Sequence, residues 1–440
     1  MARARAISGF PEWLPEQRLV ELRLLDGIRR QFELFGFAPI ETRSVEPIEQ
    51  LLAKGETDKE IYTLRRLQGG DDERAELGLH FDLTVPLARY VAQHLNDLKF
   101  PFKRYQIQKA WRGERPQEGR YREFTQADID VVGRGSLSLH FDAELPLLVH
   151  EVFEALPEVP PVTIKVNNRK LVEGVIRAVG VEDVAPVMRA LDKLDKRGAE
   201  QVARDLEELG VASGAAAKLL AMAEVRGGGE DVARGVRAAL GGITSAPLAG
   251  SPSAPLAHPL VEEGLGELMF VMAAVEGLPP GRVVADLSVV RGLDYYTGTV
   301  YETVMNGHES VGAICSGGRY DNLVEGGRDK LPGNGVSIGV TRILGRLFGQ
   351  AAIPLGPKTP TVVLVTLASE EARPAAAGVA ARLRARGIAT EVFHEPVKFG
   401  KQIAYADGKG IPFVWFPEEG EVKDLRSGEQ RAVAVEDFAP

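Results

Sequence analysis

A chain of 440 residues is longer than one hydrophobic core fills, so two or three domains are expected. With 44% hydrophobic and 26% charged residues, the composition is that of a soluble globular protein. A net charge of −9 argues against nucleic-acid binding through overall charge, although a local basic surface stays open. The single cysteine, Cys315, excludes an intramolecular disulfide and a cysteine-built metal cage, which fits a reducing cytosol. The N-terminal "MARARAISGFPEWLPEQ" lacks the apolar core of a secretory signal, and no apolar run reaches membrane-spanning length.

Residues 16–36 predict an amphipathic helix, with Leu25, Ile28, Phe32 and Phe35 on one face and Gly36 as its stop. "FAPIETR" follows as a short strand. "LGLHFDLTVPLARYVAQHL" predicts a strand ending near Thr84 and then a helix with Pro86 near its first turn. "FKRYQIQKAW" and "RYREFTQADIDVV" are aromatic, alternating runs joined by a short Pro/Gly loop, the pattern of an antiparallel hairpin.

Residues 168–238 read as charged helices, and "GGITSAPLAGSPSAPLAHP" as a mobile loop behind them. Strand-like sequence returns from Val283 to about Val304 and again near Val311–Ser316, with a helix from about Val340. "GQAAIPLGPKTP" is the best linker in the chain. Beyond it, "TVVLVTL", residues 370–386, "ATEVF", "GKQIAYADGKG" and "IPFVWF" alternate as β-α-β-α-β, which implies a small, largely parallel sheet.

Four segments offer chemistry. The hairpin gathers Arg112, Arg115, Arg120 and Arg122 around its loop, and arginine's planar fork suits carboxylate and phosphate oxygens. Phe124 adds a flat apolar face, while Gln126 and Asp130, four apart on the return strand, share one side of it. "HFDLTVP" places Asp82 and Thr84 at a strand end, as ligand groups or as caps of the next helix. "VVRGLDYYTGTVYE" holds Arg291 beside adjacent tyrosines, Tyr295 and Tyr296; Gly317 and Gly318 downstream read by default as a turn. In "GNGVSIGVTRIL", small residues lead into a helix carrying Arg342. Neither a P-loop nor a GxGxxG turn occurs.

Together these segments resemble the class II aminoacyl-tRNA synthetases, and specifically their histidyl-tRNA synthetase family, over nearly the whole chain. Residues 16–43 are similar to motif 1, residues 104–133 to motif 2 through Arg112 and "GRYREFTQ", and residues 333–344 to motif 3 through Arg342. "RGLDYYTGTVYE" is similar to the family's histidine signature. "HFDLTVP" and the helical insertion look closer to the eukaryotic-type branch.

The resemblance implies an α+β fold: an antiparallel catalytic core over residues 1–348 with a helical insertion at about 168–250. A linker over 349–360 and a small α/β anticodon-binding domain over 361–440 would follow. It implies activation of L-histidine by ATP with Mg²⁺, transfer to tRNA(His), a homodimer formed through motif 1, and a cytoplasmic location without membrane attachment. Asp82, Leu83 and Thr84 would hold the histidine amino group, with Gln126 and Asp130 nearby and Tyr295 or Tyr296 on the imidazole side.

Arg112 and Arg291 would meet the α-phosphate from two sides. Phe124 and Arg342 would sandwich adenine, and Glu114 and Arg120 would hold the base and outer phosphates; no metal-ligating side chains are implied. Two departures stand out. Thr341 occupies the place before the motif 3 arginine where the family usually has glutamate. The tail also stops early enough to omit a final helix. Lys398, Phe399, Lys401 and Gln402 are candidate anticodon contacts. The alternative is the synthetase-like regulatory subunit of ATP phosphoribosyltransferase in histidine biosynthesis, which shares the fold without aminoacylating.

Overall fold

Helix α1 (Pro15–Leu34) buries Leu25, Ile28 and Phe32 at helical spacing and stops before Gly36, whose φ of +78° a side chain would resist. The computed structural model describes residues 5–52, 60–67, 75–241, 258–290, 296–321 and 330–440. They form two units. One takes the residues before Glu12 with Leu25–Gly349, and the other takes Glu12–Leu24 with Gln350–Pro440.

In the first unit, β1 (Ala38–Pro39) is followed by β2 (Val45–Pro47), α2 (Ile48–Leu52), β3 (Thr63–Leu64) and β4 (Leu77–Leu79). Strands β2, β4 and β3 make a small antiparallel sheet in that order. The strand expected to reach Thr84 ends at Leu79, because Thr84 already opens α3 (Thr84–Gln93), with Pro86 in its first turn. β5 (Phe102–Trp111) and β6 (Glu123–Val132) are the expected hairpin, paired from Phe102 opposite Val132 to Trp111 opposite Glu123. α4 (His140–Glu154) and β7 (Val162–Asn168) come next.

The insertion is helical as expected: α5 (Arg169–Ala178), α6 (Val184–Leu191), α7 (Leu194–Arg197), α8 (Ala199–Glu208), α9 (Ser213–Ala223), β8 (Arg226–Gly227) and α10 (Gly229–Leu240). Most of the loop expected to be mobile, residues 242–257, lies outside the described residues. The unit closes with α11 (Pro259–Ala274), β9 (Val283–Asp286), β10 (Thr299–Met305), β11 (Cys315–Tyr320), β12 (Gly333–Gly339) and α12 (Val340–Gly349).

Nine of these strands form one sheet in the order β1-β5-β6-β12-β11-β10-β7-β9-β8. Within this sheet, among the described residues, only β1–β5 and β7–β9 pair in parallel. The core is therefore an antiparallel sheet with helices, the expected α+β class.

Two expectations are corrected. The run Val283–Val304 is split into β9 and β10. The strand placed near Val311–Ser316 starts later, because Glu309–Val311 is a 3₁₀ turn and Gly312 takes φ +77°. Gly317 and Gly318 then lie inside β11 rather than in a turn. A Cβ at Gly317 would fall 2.0 Å from the Gly335 carbonyl, and one at Gly318 would fall 2.7 Å from the Thr299 carbonyl. Close strand packing is the reason for the pair.

The second unit contains β13 (Val363–Val365), α13 (Arg373–Ala385), β14 (Thr390–Val392), α14 (Phe399–Lys409) and β15 (Phe413–Phe416). β13 runs parallel to both β14 and β15, as the alternating pattern predicts. A hairpin of β16 (Glu421–Asp424) and β17 (Gln430–Ala432) extends the sheet antiparallel. Its core is apolar, with Trp415, Phe438 and Leu383 fully buried or nearly so. Among the described residues no helix is long and apolar enough to cross a membrane.

Candidate active site

The hairpin's return strand organises a cavity of about 240 Å³. Phe124, Gln126 and Asp128 of β6 line it on one face, as period-two alternation requires. Arg112, Glu114 and Arg120 come from the β5–β6 connection, and Asp82 and Thr84 from the start of α3. The opposite walls are Ala313–Ser316, Ser337, Gly339, Arg342 and Tyr296.

Three arginines and three carboxylates share this space, and two of the arginines, Arg112 and Arg342, are held by backbone oxygens. Arg112 Nε donates to the Phe81 carbonyl at 3.0 Å, its guanidinium lies 5.1 Å from the Phe124 ring centroid, and Glu114 is 3.9 Å away. Arg120 pairs with Glu114 at 3.1 Å. Arg342 donates to the Gly119 carbonyl at 2.9 Å and to the Ala313 carbonyl at 2.5 Å, tying the hairpin loop to the facing wall. Orientation of Arg112 by a neutral carbonyl leaves its guanidinium charge available to an incoming anion. Not all of the hairpin's arginines converge. Arg115 is exposed, and Arg122 turns back to donate to the Glu114 carbonyl at 3.1 Å.

The position before Arg342 now has an explanation. Thr341 is buried, and its hydroxyl accepts the Thr125 N–H at 2.8 Å, joining α12 to β6. Asp82 lines the cavity and accepts the Val85 N–H at 2.9 Å, which caps α3 as one of its two readings anticipated.

Deeper in, Gln126 donates to the Ser337 hydroxyl at 2.6 Å. Burial pushes the Asp128 carboxyl up to about 7, against the opposing pull of Arg104. Tyr296 is held well above its ordinary value by burial and by the carboxylates of Asp130, Asp128 and Asp82. Burial raises the Cys315 thiol to about 12, so it stays protonated and is no nucleophile.

Two predicted residues stand behind the wall rather than on it. Leu83 is fully buried beneath the α3 N-terminus. Asp130 lies 2.5 Å from the buried Arg104 and accepts the Tyr320 hydroxyl at 2.7 Å. Arg291 and Tyr295 lie outside the described residues. The lining positions not anticipated from sequence are chiefly Asp128, Tyr121, Ser337 and Ala313–Ser316. Asp128 was accessible to the same-face rule that selects Gln126 and Asp130.

In the second unit, Lys398 and Lys401 are exposed and Phe399 packs edge-on to Phe416 at 5.4 Å. Gln402 is not a surface contact. It is fully buried, accepting the Leu367 N–H and donating to the Leu367 and Val397 carbonyls.

Comparison with known proteins gives the same outline. The family model described as histidyl-tRNA synthetase matches residues 9–343, and the one described as anticodon binding domain matches residues 361–440. The chain is 54% identical to the histidine–tRNA ligase of Thermobifida fusca, over 97% of this chain and 96% of that protein. It is 52% identical to that of Micrococcus luteus, over 100% and 97%. The solved histidyl-tRNA synthetase of Nostoc sp. PCC 7120 superposes with a TM-score of 0.86 at 38% identity, covering 99% of this chain and 98% of that one. The family match, the near-complete coverage and the shared antiparallel core agree, and the chain belongs to the histidyl-tRNA synthetase family.

Proposed function

We infer that this chain is a histidine–tRNA ligase, which activates L-histidine with ATP to histidyl-adenylate and transfers the histidyl group to the 3′ end of tRNA(His). The observation that carries the residue-level reading is the arrangement of the cavity. Arginines cluster around the hairpin connection, and amide and carboxylate groups line the deeper part of the same strand face. An anionic nucleotide and a polar, cationic amino acid can therefore occupy one space in opposite orientations.

In the first step the histidine carboxylate attacks the α-phosphorus in line and pyrophosphate leaves. Both reactants are negatively charged, so the work of the protein is to position them and to stabilise charge on phosphoryl oxygens. Arg112, fixed by the Phe81 carbonyl, meets the α-phosphate and the attacking carboxylate. Arg291 approaches the same phosphate from the other side. Phe124 and Arg342 take the adenine faces, and Glu114 with Arg120 takes the base and outer phosphates. Asp82, Thr84 and Gln126 receive the amino acid, Tyr295 and Tyr296 its ring side, while Leu83 and Asp130 support them from behind. In the second step the terminal ribose hydroxyl of the tRNA attacks the adenylate carbonyl, and AMP leaves.

ATP enters as its Mg²⁺ complex. The ion is carried on the phosphate oxygens. Activation belongs to residues 1–348 and anticodon reading to residues 361–440, joined by 349–360. The chain pairs as a homodimer through α1 and β1. β1 is the edge of the nine-stranded sheet with both residues exposed, and Leu34 is 66% exposed. Its substrates place it in the cytoplasm.

The test is histidine-dependent ATP–pyrophosphate exchange on wild type, Arg112→Ala and Arg291→Ala. Each variant is expected to lose roughly 10²- to 10³-fold in kcat while keeping its fold, the usual effect of deleting one donor to a developing oxyanion. A folded wild type that binds histidine and ATP without exchange would overturn the reading.

A further inference from the structure

Two arginines stand about one turn apart on α12 and grip the same two segments of chain. Arg342 and Arg346 are four residues apart, so they leave the helix on one face. Arg342 lines the cavity and donates to the Gly119 carbonyl at 2.9 Å and to the Ala313 carbonyl at 2.5 Å. Arg346 stands outside the lining and uses all three guanidinium nitrogens on close neighbours of those carbonyls. Its Nη1 donates to the Glu118 carboxylate, its Nε to His308 Nδ1 at 3.3 Å and its Nη2 to the Ser310 hydroxyl at 3.3 Å.

Glu118 precedes Gly119 in the β5–β6 loop, and His308 and Ser310 belong to the turn that ends at Gly312, just before Ala313. The turn is closed by its own backbone, the Val311 N–H donating to the His308 carbonyl at 3.0 Å and the Gly312 N–H to the Glu309 carbonyl at 2.8 Å. The loop lies against it. A Cβ at Gly119 would come within 3.2 Å of the Val311 side chain and 3.5 Å of that of Arg342.

The energetics indicate what the link is for. Glu118 is largely exposed, and an ion pair at an exposed carboxylate contributes little to folding stability. The Arg346 side chain, by contrast, is only 11% exposed and gives up the rotamer freedom of a long chain for one geometry. A planar fork that bonds two segments at once fixes their separation, which a point charge cannot do. That separation matters at the cavity, where Glu114 and Arg120 of the same loop share the lining with Arg342.

We propose that Arg346 is a positioning residue for the nucleotide. It moors the β5–β6 loop to the turn over residues 308–312, and so holds the two carbonyls that aim Arg342 and the loop that carries Glu114 and Arg120. The inference rests on the reading that ATP binds among those three side chains. A loop held before ATP arrives need not be ordered by it, so the effect falls on nucleotide affinity and leaves the amino acid untouched.

The experiment is calorimetric binding of Mg²⁺–ATP, with histidine-dependent exchange kinetics in parallel. It uses wild type, Arg346→Ala, Arg346→Lys, Glu118→Gln and the double variant Arg346→Ala/Glu118→Gln. Arg346→Ala should weaken ATP roughly three- to tenfold and raise its KM alike, with kcat within about twofold and the histidine KM unchanged. Arg346→Lys keeps the charge without the fork and should recover only part of the loss. Glu118→Gln should weaken ATP by roughly twofold although it removes no cation, and at so exposed a side chain it leaves the fold intact. The double variant should match Arg346→Ala alone, because both changes cut one link.

Unchanged ATP affinity in a folded Arg346→Ala would overturn the proposal. A loss there with none in Glu118→Gln would overturn it too, by placing Arg346 on the nucleotide itself, and full recovery in Arg346→Lys would reduce the role to charge. Wild type and variants that bind ATP in the expected order, with no histidine-dependent exchange in wild type, would fail the ligase reading alone.

Discussion

The two sheets bury different things. Over residues 361–440 the buried polar side chains are Thr361, Thr366, Thr390 and Gln402, and no buried group there is ionised. The nine-stranded sheet and its helices bury Arg104, Asp128, Asp130, Asp142, Asp286 and Arg319. Desolvating a charge costs several kcal/mol unless it is paired, so the first unit is built less stably than its apolar area would allow. What it gains is a set of fixed charges, of which Asp128 lines the cavity and Asp130 lies behind its wall. The second unit buries no ionised group, and an apolar core under a small sheet is enough to hold it.

The largest stability effect should come from removing one of those buried pairs away from the cavity. Arg319 donates to both oxygens of Asp142, at 3.1 and 2.7 Å, and also to the carbonyls of Leu137 and Ser138. Asp142 is fully buried. Asp142→Ala leaves the guanidinium with neutral carbonyls and only the more remote charge of Asp321, and denaturant unfolding of the first unit should lose roughly 3 to 5 kcal/mol. A loss below about 1 kcal/mol would mean that water reaches Arg319 and that the contrast between the two interiors is weaker than drawn.

The counterpart in the second unit should be smaller and functionally silent in activation. Gln402→Leu keeps the volume but leaves the Leu367 N–H and carbonyl without their side-chain partner. A loss of about 1 to 3 kcal/mol is expected in the melting of that unit. Histidine-dependent exchange should be unaffected, whereas charging of tRNA should fall as the unit melts. Equal losses in both assays would show that activation depends on the second unit's fold.

Much of this architecture was legible because it follows local rules. The hairpin announced itself by aromatic alternation on both sides of a short Pro/Gly loop, and α12 by the change from small residues to helical spacing. What escaped was set by partners distant in sequence. Period two puts Gln126, Asp128 and Asp130 on one face, but only the β5 register decides that Arg104 sits opposite Asp130 and engages it. Gly317 and Gly318 read as a turn because their reason, the approach of Gly335 and Thr299, comes from neighbouring strands. The β16–β17 hairpin is polar, with only Val422 buried and β17 wholly exposed, so it carries little hydrophobic pattern.

The smallest effect tests whether fixed geometry, rather than charge alone, matters at the cavity rim. The β6–β12 ladder ends at Gln126 opposite Gly339, so the Thr125 N–H lies beyond β12 and is met by the Thr341 hydroxyl instead. Valine is nearly isosteric, so Thr341→Val removes that acceptor while keeping the packing of α12 on β6. About 1 kcal/mol of stability should be lost. Arg342, one residue on, spans Gly119 and Ala313, and loosening its helix from β6 lets that span relax. The KM for ATP should then rise by roughly two- to fivefold, from a displacement costing under about 1 kcal/mol, with the histidine KM unchanged. An unchanged ATP KM alongside the expected stability loss would confine Thr341 to holding the fold, and would leave the two backbone carbonyls sufficient to fix Arg342.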